Sequence, residues 1–452
     1  MSGSAGSGYP MKEGGSELRS EWWRPPESAS EAGLPGQPDP AVMPASRFDL
    51  ASWAVAAFTV ILLLAPQERF PALAPLRIAL LCAAVAAIAC TVKRVKARMP
   101  ILEMSPDVVL ILLLVFWAVM TLPLSVWPGG SAGFLTGIYI KSVLCFLLLS
   151  HALTGFRQLW GICWCLVLCT VPLTLTTLAN YAAGISLAEG SDRVLGYTSG
   201  LTQNPNDMAL MLNLILPLCL ALMLGTRNAL GKLALAATTV LIVVAVILTF
   251  SRAGFLTLAF IGASYAWLLR KRPQRMWIPV IMILGVFALP LVPGDFFGRI
   301  ETIVQIENDQ TQSAQNRLAD MKVATSAAFS KPITGSGIGM SILAMNEARG
   351  ERWIDIHNVY LQLALDLGFI GLMLFVLLLL QCLRVTGALL SGREDRGAPD
   401  RMVLIAEALR VSLLAFALSA MFYPVAYNFY FYYFAGLAMA AWRIARSAEA
   451  PA

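Results

Sequence analysis

Residues 367–383 read LGFIGLMLFVLLLLQCL, a run of 17 uncharged residues between Asp366 and Arg384. An α-helix rises about 1.5 Å per residue, so this run with a turn on either side crosses the roughly 30 Å hydrocarbon core of a bilayer. Inside that core a helix satisfies all of its backbone N–H and C=O groups within one segment. The stretch therefore predicts a membrane-spanning helix.

The same pattern recurs along the chain. Of 452 residues 58% are apolar and only 13% are charged, whereas a soluble domain is about half apolar and about a quarter charged. This composition excludes most cytosolic enzyme folds and predicts an all-α integral membrane protein with about 12 transmembrane helices. The last apolar segment is short and aromatic, so it reads either as a helix or as an interfacial belt. The segments begin near residues 50, 75, 106, 133, 159, 207, 230, 253, 276, 358, 402 and 427.

The spacing of these segments gives the domain organisation. The connection before the tenth helix is by far the longest, and long loops in compact proteins are usually functional or disordered. It contains a helical stretch from Gln315 to Phe329 and few helix breakers, so we expect an ordered cap. The predicted order is a disordered cytoplasmic tail (1–46), transmembrane helices 1–9 (47–293), an external periplasmic loop (294–357), helices 10–12 (358–445) and a cytoplasmic tail (446–452).

Positive charge is divided unevenly between the two sides that these helices imply. Seventeen Lys and Arg residues fall on one side, and only Arg69, Arg77, Arg193 and Arg252 fall in the short loops of the other. By the positive-inside rule the richer side is cytoplasmic, which makes both termini cytoplasmic and the four arginines external. The formal charge of +6 lies in short clusters between apolar stretches, so it predicts no nucleic-acid partner.

No disulfide framework, metal site or cofactor site is predicted. All eight cysteines lie within apolar stretches, where they read as packing residues. The sequence has no HExxH motif and no His and Asp cluster of metal-ligand spacing, so we expect a reaction without a metal or a cofactor. The glycine-rich residues 334–339 lack the spacing of a dinucleotide fingerprint and predict tight turns instead.

Basic residues at external helix ends are the candidates for chemistry. Arg252 lies in Ser251-Arg-Ala-Gly254 between the seventh and eighth helices, and its planar guanidinium suits a phosphate, which accepts two parallel hydrogen bonds. An interfacial arginine that reaches to lipid headgroups explains the tetrapeptide equally well. The start of the sixth helix, Asn204-Pro-Asn206-Asp207, is either a simple helix cap or part of an anion site at the positive end of the helix dipole.

His357 opens the tenth helix beside the long loop. A neutral imidazole there could accept a proton from an attacking hydroxyl group, oriented by Asp355 or Asp366. Taken alone, a histidine in this position is more often a helix-end residue than a base. Its place beside the long loop favours the functional interpretation.

Four motifs follow one another between residues 190 and 375. They are Arg193-x-x-Gly196 leading to Asn204-Pro-Asn206, Ser251-Arg-Ala-Gly254, Arg317 with Lys331-Pro-x-x-Gly335-x-Gly337-x-Gly339, and His357-Asn-x-Tyr-Leu-Gln362-x-x-x-Asp-x-Gly368-x-x-Gly371. In this order they resemble the O-antigen ligase and polymerase superfamily of bacterial envelope glycosyltransferases. The predicted helix count and the long external loop also look like those of the family.

The resemblance implies a GT-C type fold in the bacterial inner membrane and a metal-independent inverting glycosyltransferase. Such an enzyme moves a glycan from an undecaprenyl-diphosphate carrier to a glycan or lipid A-core acceptor, with a chain-length regulator or flippase as expected partner. Arg193, Arg252 and Arg317 would hold the donor diphosphate together with Asn206, and His357 and Arg252 would be catalytic. Family members usually carry Glu where this chain has Asp366.

Two alternatives stay open at this stage. Within the family, a ligase and a polymerase of O-antigen or exopolysaccharide differ in acceptor, and the sequence barely separates them. Outside it, a transporter or flippase would use the external arginines to line a substrate path. A transporter predicts ionisable residues throughout the bilayer depth and an internal repeat, whereas here the charge gathers at one face.

Overall fold

The computed structural model describes residues 47–186, 194–197, 202–270, 313–350, 353–391 and 401–449. Within these ranges the chain is all helix and loop, with one isolated antiparallel bridge between Ser186 and Val194. The all-α prediction is therefore confirmed. The helices are α1 (Leu50–Leu64), α2 (Pro66–Arg69), α3 (Ile78–Lys96), α4 (Pro106–Met120), α5 (Pro128–Phe134), α6 (Ile140–Ala152), α7 (Phe156–Ala182), α8 (Pro205–Gly225), α9 (Ala229–Leu248), α10 (Arg252–Leu269), α11 (Ser313–Ser330), α12 (Ser341–Arg349), α13 (Val359–Leu390), α14 (Arg401–Ser419) and α15 (Phe429–Glu449).

Eight helical segments in the described ranges are long and apolar enough to cross a bilayer. They identify a multi-pass membrane protein, while the total of twelve spans stays a prediction. Helices α1 and α4 are apolar but have 15 residues each, and the segment predicted from residue 276 lies outside the described residues. The eight are Pro71–Lys96, Pro128–Ala152, Phe156–Ala182, Pro205–Gly225, Ala229–Leu248, Arg252–Leu269, Val359–Leu390 and Arg401–Ser419.

The last helix, α15, forms the centre of the bundle. It packs against α6, α7, α13 and α14, and the aromatic residues that lead into it and form its first turns, Tyr427 and Phe429 to Phe434, are all buried. The alternative interpretation of this segment as an interfacial belt is therefore wrong. Aromatic side chains supply large apolar area to a core, and here their rings contact one another, as Phe375 and Phe431 do at 4.8 Å between centroids.

The cysteines are packing residues, as predicted. All eight lie in described ranges and none forms a disulfide; six are buried and two, Cys82 and Cys165, are half-buried.

One end of the bundle carries a closed network of charges. The Arg443 guanidinium donates to the Ser105 hydroxyl at 2.7 Å and to the Ser150 carbonyl at 2.8 Å, and it pairs with Asp107 at 3.3 Å. His151 lies beside it, its Nε2 accepting from the Glu103 backbone N–H at 3.3 Å. We call this end of the bundle the network face and the other end the site face. The network ties α4, α6 and α15 together.

Candidate functional site

The site face begins with the capped start of α8. Asn204 is the N-cap, its side chain accepts from the Asn206 backbone N–H at 2.9 Å, and Pro205 occupies the first helical position. Proline fits there because its missing N–H has no partner in a first turn. The half-buried Asn206 points its Oδ1 toward the next motif, where it accepts from the Ser251 hydroxyl at 2.9 Å. The capping interpretation of Asn204 is thus confirmed.

A tight connection places Arg252 at the first residue of α10. Phe250 turns the chain with a positive φ of 51°, and the Ser251 side chain caps the helix by accepting from the Gly254 N–H at 3.2 Å. Gly254 lies against α8, since an added Cβ would stand 2.6 Å from the Ala209 Cβ. Gly254 thus allows a close approach of α10 to α8. Arg252 itself is half-buried.

The loop between α14 and α15, residues 420–428, joins the Ser251 motif to the His357 motif. On one side the Tyr423 hydroxyl lies 3.3 Å from the Ser251 Oγ. On the other side the Ala420 carbonyl accepts from the Val359 N–H at 2.7 Å, and the Met421 carbonyl accepts from the Asn358 side chain at 3.4 Å. Segments more than 100 residues apart in sequence are therefore attached to one short loop.

His357 stands directly before the N-cap of α13. Asn358 caps that helix by accepting from the Leu361 N–H at 3.0 Å, and the His357 Nδ1 lies 3.0 Å from the Asp355 backbone carbonyl. A carbonyl only accepts, so this contact requires a proton on Nδ1 and makes Nε2 the basic nitrogen of the neutral ring. The ring is half-buried. It is the backbone of Asp355, not its carboxylate, that contacts the ring.

Loss of hydration raises the pKa of the Asp355 carboxyl above its usual value, although part of the side chain surface is exposed. Desolvation disfavours the charged form of an acid. The carboxyl thus keeps its proton to a higher pH than an aspartate in water does.

The glycine loop, residues 332–339, is bound to a break in α13. Gly368 interrupts that helix with φ 68° and ψ −176°, so the carbonyls before it lose their helical partners. The Leu365 carbonyl instead accepts from the Ser336 N–H at 2.7 Å, and the Asp366 carbonyl accepts from the Gly337 N–H at 2.9 Å. The Trp117 indole satisfies the next carbonyl, that of Leu367, at 2.8 Å.

Glycines are required on both sides of this contact. Gly335 has φ 66°, and an added Cβ would lie 2.5 Å from the Asp366 backbone; at Gly368 it would lie 2.1 Å from the Ile333 carbonyl oxygen. Gly337 and Gly339 also have positive φ, which confirms the tight turns predicted from the sequence. The third and fourth motifs are therefore two halves of one backbone contact.

Asp366 faces this loop and not His357. Its fully buried carboxyl lies beside the backbone N–H groups of Gly339, Met340 and Ser341, where α12 begins, and beside the Tyr427 hydroxyl. Neither carboxyl oxygen reaches hydrogen-bond geometry, so the attraction acts at longer range through the N–H dipoles of the helix start. Asp366 is therefore not placed to orient His357, as one alternative of the sequence analysis had it. It helps to hold the glycine loop instead.

Of the two other predicted arginines, Arg317 lies within the described residues and Arg193 does not. Arg317 lies on α11, whose Ala324 and Ala328 pack in one cluster with Ile356, the residue before His357. A buried ion pair of 2.7 Å between Asp320 and Arg349 holds α11 to α12. The helix predicted from Gln315 to Phe329 is confirmed, since α11 extends over Ser313–Ser330.

Arg193 lies outside the described residues. The residue after it, Val194, packs against Phe250 two positions before Arg252. Gly196 is held by its N–H to the Gln203 carbonyl at 3.0 Å, and the Asn180 side chain donates to its carbonyl at 2.9 Å. The first motif is therefore attached to the second both here and through Asn206.

Sequence reasoning missed Tyr423 and Tyr427. Both are buried: the Tyr423 hydroxyl lies 3.3 Å from the Ser251 Oγ, and the Tyr427 hydroxyl lies beside the Asp366 carboxyl without a hydrogen bond to it. Both residues belong to the segment Tyr423-Pro-Val-Ala-Tyr427, and a buried tyrosine usually finds a partner for its O–H, which is the signal that Tyr423 carried. The aromatic run that follows hid this signal, because it read as apolar packing.

Across the part of the chain that the structure describes, no group of three or more His, Cys, Asp or Glu side chains could hold a metal ion. The predicted site relies on arginine side chains as its cations, and Arg252 and Arg317 are the two of them that lie within the described residues. Guanidinium groups bind phosphate through paired hydrogen bonds, as a planar fork of donors.

The fold and the site thus define a multi-pass helical membrane protein in which the motifs of Asn206, Ser251 and His357 lie together on the site face. Residues 237–376 match the family described as O-antigen ligase. This match confirms the resemblance to the O-antigen ligase and polymerase superfamily that the motifs predicted, and the matched family is one of membrane glycosyltransferases of the ligase or polymerase type. The matched residues contain the second, third and fourth motifs. A search of the curated proteins found no match.

Proposed function

We propose that this protein transfers a glycan from an undecaprenyl-diphosphate carrier to a sugar hydroxyl on the outer side of the bacterial inner membrane. The observation that carries the proposal is the contact between motifs: Asn206 bonds to Ser251, Ser251 meets Tyr423, and the loop of Tyr423 holds the His357 segment. Three motifs that are far apart in the sequence thereby lie together on one face of the bundle.

The reaction uses the groups that this face presents. The acceptor oxygen attacks the anomeric carbon, the bond from that carbon to the diphosphate oxygen breaks, and the configuration inverts. Negative charge develops on the leaving diphosphate, and guanidinium groups fixed in a poorly hydrated site stabilise it. We assign this role to Arg252 with Arg193 and Arg317, and Asn206 completes the donor site at the start of α8.

His357 takes the proton of the acceptor hydroxyl. The contact between its Nδ1 and the Asp355 carbonyl leaves Nε2 as the nitrogen that accepts, and an imidazole has a pKa suited to proton transfer near neutral pH. A role in positioning the acceptor uses the same nitrogen as a hydrogen-bond acceptor. The two roles differ in their effect on the rate and on its pH dependence, which a kinetic measurement separates.

The distribution of charge supports an external site. The short loops on the site face carry few basic residues, whereas the opposite side carries seventeen by sequence, and basic residues concentrate on the cytoplasmic side of membrane proteins. An engineered glycosylation or cysteine-labelling site in the segment 313–350 tests this orientation in whole cells. Labelling by an impermeant maleimide is the expected result.

The proposal is tested by reconstituting the purified protein in liposomes with a purified lipid-linked donor and an acceptor. The wild-type protein should release undecaprenyl diphosphate in step with formation of the glycosylated acceptor. Passage of the intact donor across the bilayer without release of the carrier would instead identify a transporter, and the transferase assignment would be withdrawn.

The acceptor class is decided by glycan analysis of a deletion strain. Loss of long chains indicates a polymerase that joins repeat units. Intact long chains that remain on the carrier lipid indicate a ligase that uses lipid A-core or a related surface acceptor. Either result is compatible with the same donor site, because the arginines contact the diphosphate and not the acceptor.

A further inference from the structure

An apolar patch at the end of α11 is exposed although it belongs to the cap over the helix bundle. Phe329 is 67% exposed and Ile333 is 60% exposed. The opposite side of the same helix is packed, since Ala324 and Ala328 are buried against the start of α13. The patch is therefore a surface that α11 presents outward, and a large exposed apolar patch on a folded segment marks an interaction site.

The patch is continuous with a lipid-facing stripe of α13. The Phe329 and Phe369 rings lie 5.2 Å apart between centroids, and Phe369 begins a row of exposed apolar residues at helical spacing. Residues three and four apart lie on one side of a helix, and this side faces no other part of the protein in the described chain. The row is Phe369, Met373, Leu377 and Leu380, each between 37% and 53% exposed.

The length of α13 sets the depth of the patch. From Phe369 after the break to Leu390 at its end, the helix has the length that spans the hydrocarbon core, about 33 Å at 1.5 Å per residue. Phe369 then lies at the hydrocarbon boundary on the site face. The Phe369 N–H donates to the Pro332 carbonyl at 2.8 Å, so residues 329–333 are fixed at the same level.

A cation lies where lipid headgroups would be. Lys331 is exposed between Phe329 and Ile333. A lysine in such a place extends its ammonium group toward lipid phosphates while its methylene stem covers apolar surface. The combination of two inserted apolar side chains and one flanking cation is typical of a segment that lies in the membrane interface.

We propose that the end of α11, with Phe329 and Ile333, is embedded in the bilayer leaflet on the site face, and that lipid is the partner of this surface. The cap is then held at two points, by the backbone contact at Gly368 and by the leaflet. This surface is independent of the transfer reaction, so its test needs no substrate.

The test is the depth of single nitroxide labels in the full-length protein in lipid bilayers. Cysteines at Phe329→Cys and Ile333→Cys carry the label, Met373→Cys in the lipid-facing row is the lipid reference, and Glu347→Cys on the exposed side of α12 is the water reference. Labelled wild-type protein gives the background of the native cysteines. Only variants that keep the wild-type thermal transition are compared.

The measured quantity is the ratio of collision rates with oxygen, which concentrates in lipid, and with a water-soluble nickel chelate. We expect the ratio at 329 and 333 to lie several-fold above that at 347 and close to that at 373. A ratio equal to that at 347 would overturn the proposal, because the patch would then be in water. Exclusion of both reagents from 329 and 333 would overturn it as well, because protein would cover the patch.

Discussion

The two histidines of this chain lie at opposite ends of the helix bundle in different surroundings. His151 is buried on the network face, where its Nδ1 lies 2.9 Å from the Leu147 carbonyl and its Nε2 accepts from the Glu103 N–H. His357 is half-buried on the site face, and its Nδ1 is likewise fixed by a carbonyl. In both rings the carbonyl contact places a proton on Nδ1, so Nε2 is the basic nitrogen of the neutral form.

The difference lies in what the protein has built around each ring. Around His151, Arg443 pairs with Asp107, and serine and carbonyl oxygens satisfy the rest of the guanidinium. His357 stands at the head of a helix where several motifs meet. A histidine inside a closed network serves the fold, whereas a histidine at the entrance of a helix bundle is placed to meet a ligand.

The largest effect is expected from removing each histidine in turn. His357→Ala should lower the transfer rate by about 10²–10⁴-fold, the usual contribution of a positioned proton acceptor, and should preserve donor binding. His151→Ala should lower stability and leave the rate of the folded protein nearly unchanged. Turnover in reconstituted liposomes, normalised to folded protein, measures both. Equal losses of rate in the two variants would end the distinction between the two faces.

Arg443→Ala should be the most damaging change to stability. It leaves the buried Asp107 carboxylate without its cation, which costs about 3–5 kcal/mol for a buried pair. Arg446→Ala is the matched control, since this exposed side chain lies one turn later over the Trp442 ring, and it should change the free energy of unfolding by less than about 0.5 kcal/mol. Denaturant unfolding of the purified protein compares them. A similar cost for both would show that the network is not a structural unit.

Arg252→Lys should lower the transfer rate by about 10²-fold while the protein stays folded, because a point charge does not reproduce the bidentate contact with a phosphate. Arg227→Lys is the control of identical chemistry at an exposed position between α8 and α9, and we expect it to be silent. The assay is release of undecaprenyl diphosphate from a purified lipid-linked donor. An unchanged rate in Arg252→Lys would remove Arg252 from the donor site.

Gly368→Ala should destabilise the protein by about 1–3 kcal/mol, since it forces a side chain into a positive φ and against the Ile333 carbonyl. Gly262→Ala in α10 is the control, because an added methyl there meets nothing within 4 Å, and alanine favours a helix. Thermal unfolding ranks the two variants. If Gly368→Ala were as stable as the wild type, the break in α13 would not depend on glycine.

The smallest effect is expected at the helix caps. Asn204→Ala on the site face and Asn228→Ala, which caps α9 by accepting from the Gly231 N–H, should each cost about 1 kcal/mol. Equal costs with an unchanged transfer rate would mean that Asn204 only caps its helix. A loss of transfer in Asn204→Ala alone would extend the donor site to this residue.

Hydropathy located most helices, and local sequence signals mark where several of them begin. Pro106, Pro128 and Pro205 each stand at the first helical position, and Asn204 and Asn228 cap the helices that follow. Such signals act over three or four residues, so a single sequence contains them. The first-turn position of Arg252 could be predicted for the same reason.

The interior arrangement could not be predicted, because a membrane helix is apolar on all sides. Lipid and protein neighbours select similar residues, so the aromatic run in α15 gave no sign that it lies at the centre. The break at Gly368 depends on donors from Ser336 and Gly337, about thirty residues earlier. Both the glycine loop and the break in α13 are visible as glycines in the sequence. Only the contact between the two segments explains why each of them needs glycine.

The central position of α15 has a consequence for how the protein is made. This helix follows α1 to α14 in the chain, and yet its side chains fill the space between α6, α13 and α14. The earlier helices can enter the membrane one by one, as stable helices do, but their final arrangement has to wait until α15 has been synthesised. A stop codon before α15 would therefore leave inserted helices without the side chains that fill the interior of the bundle.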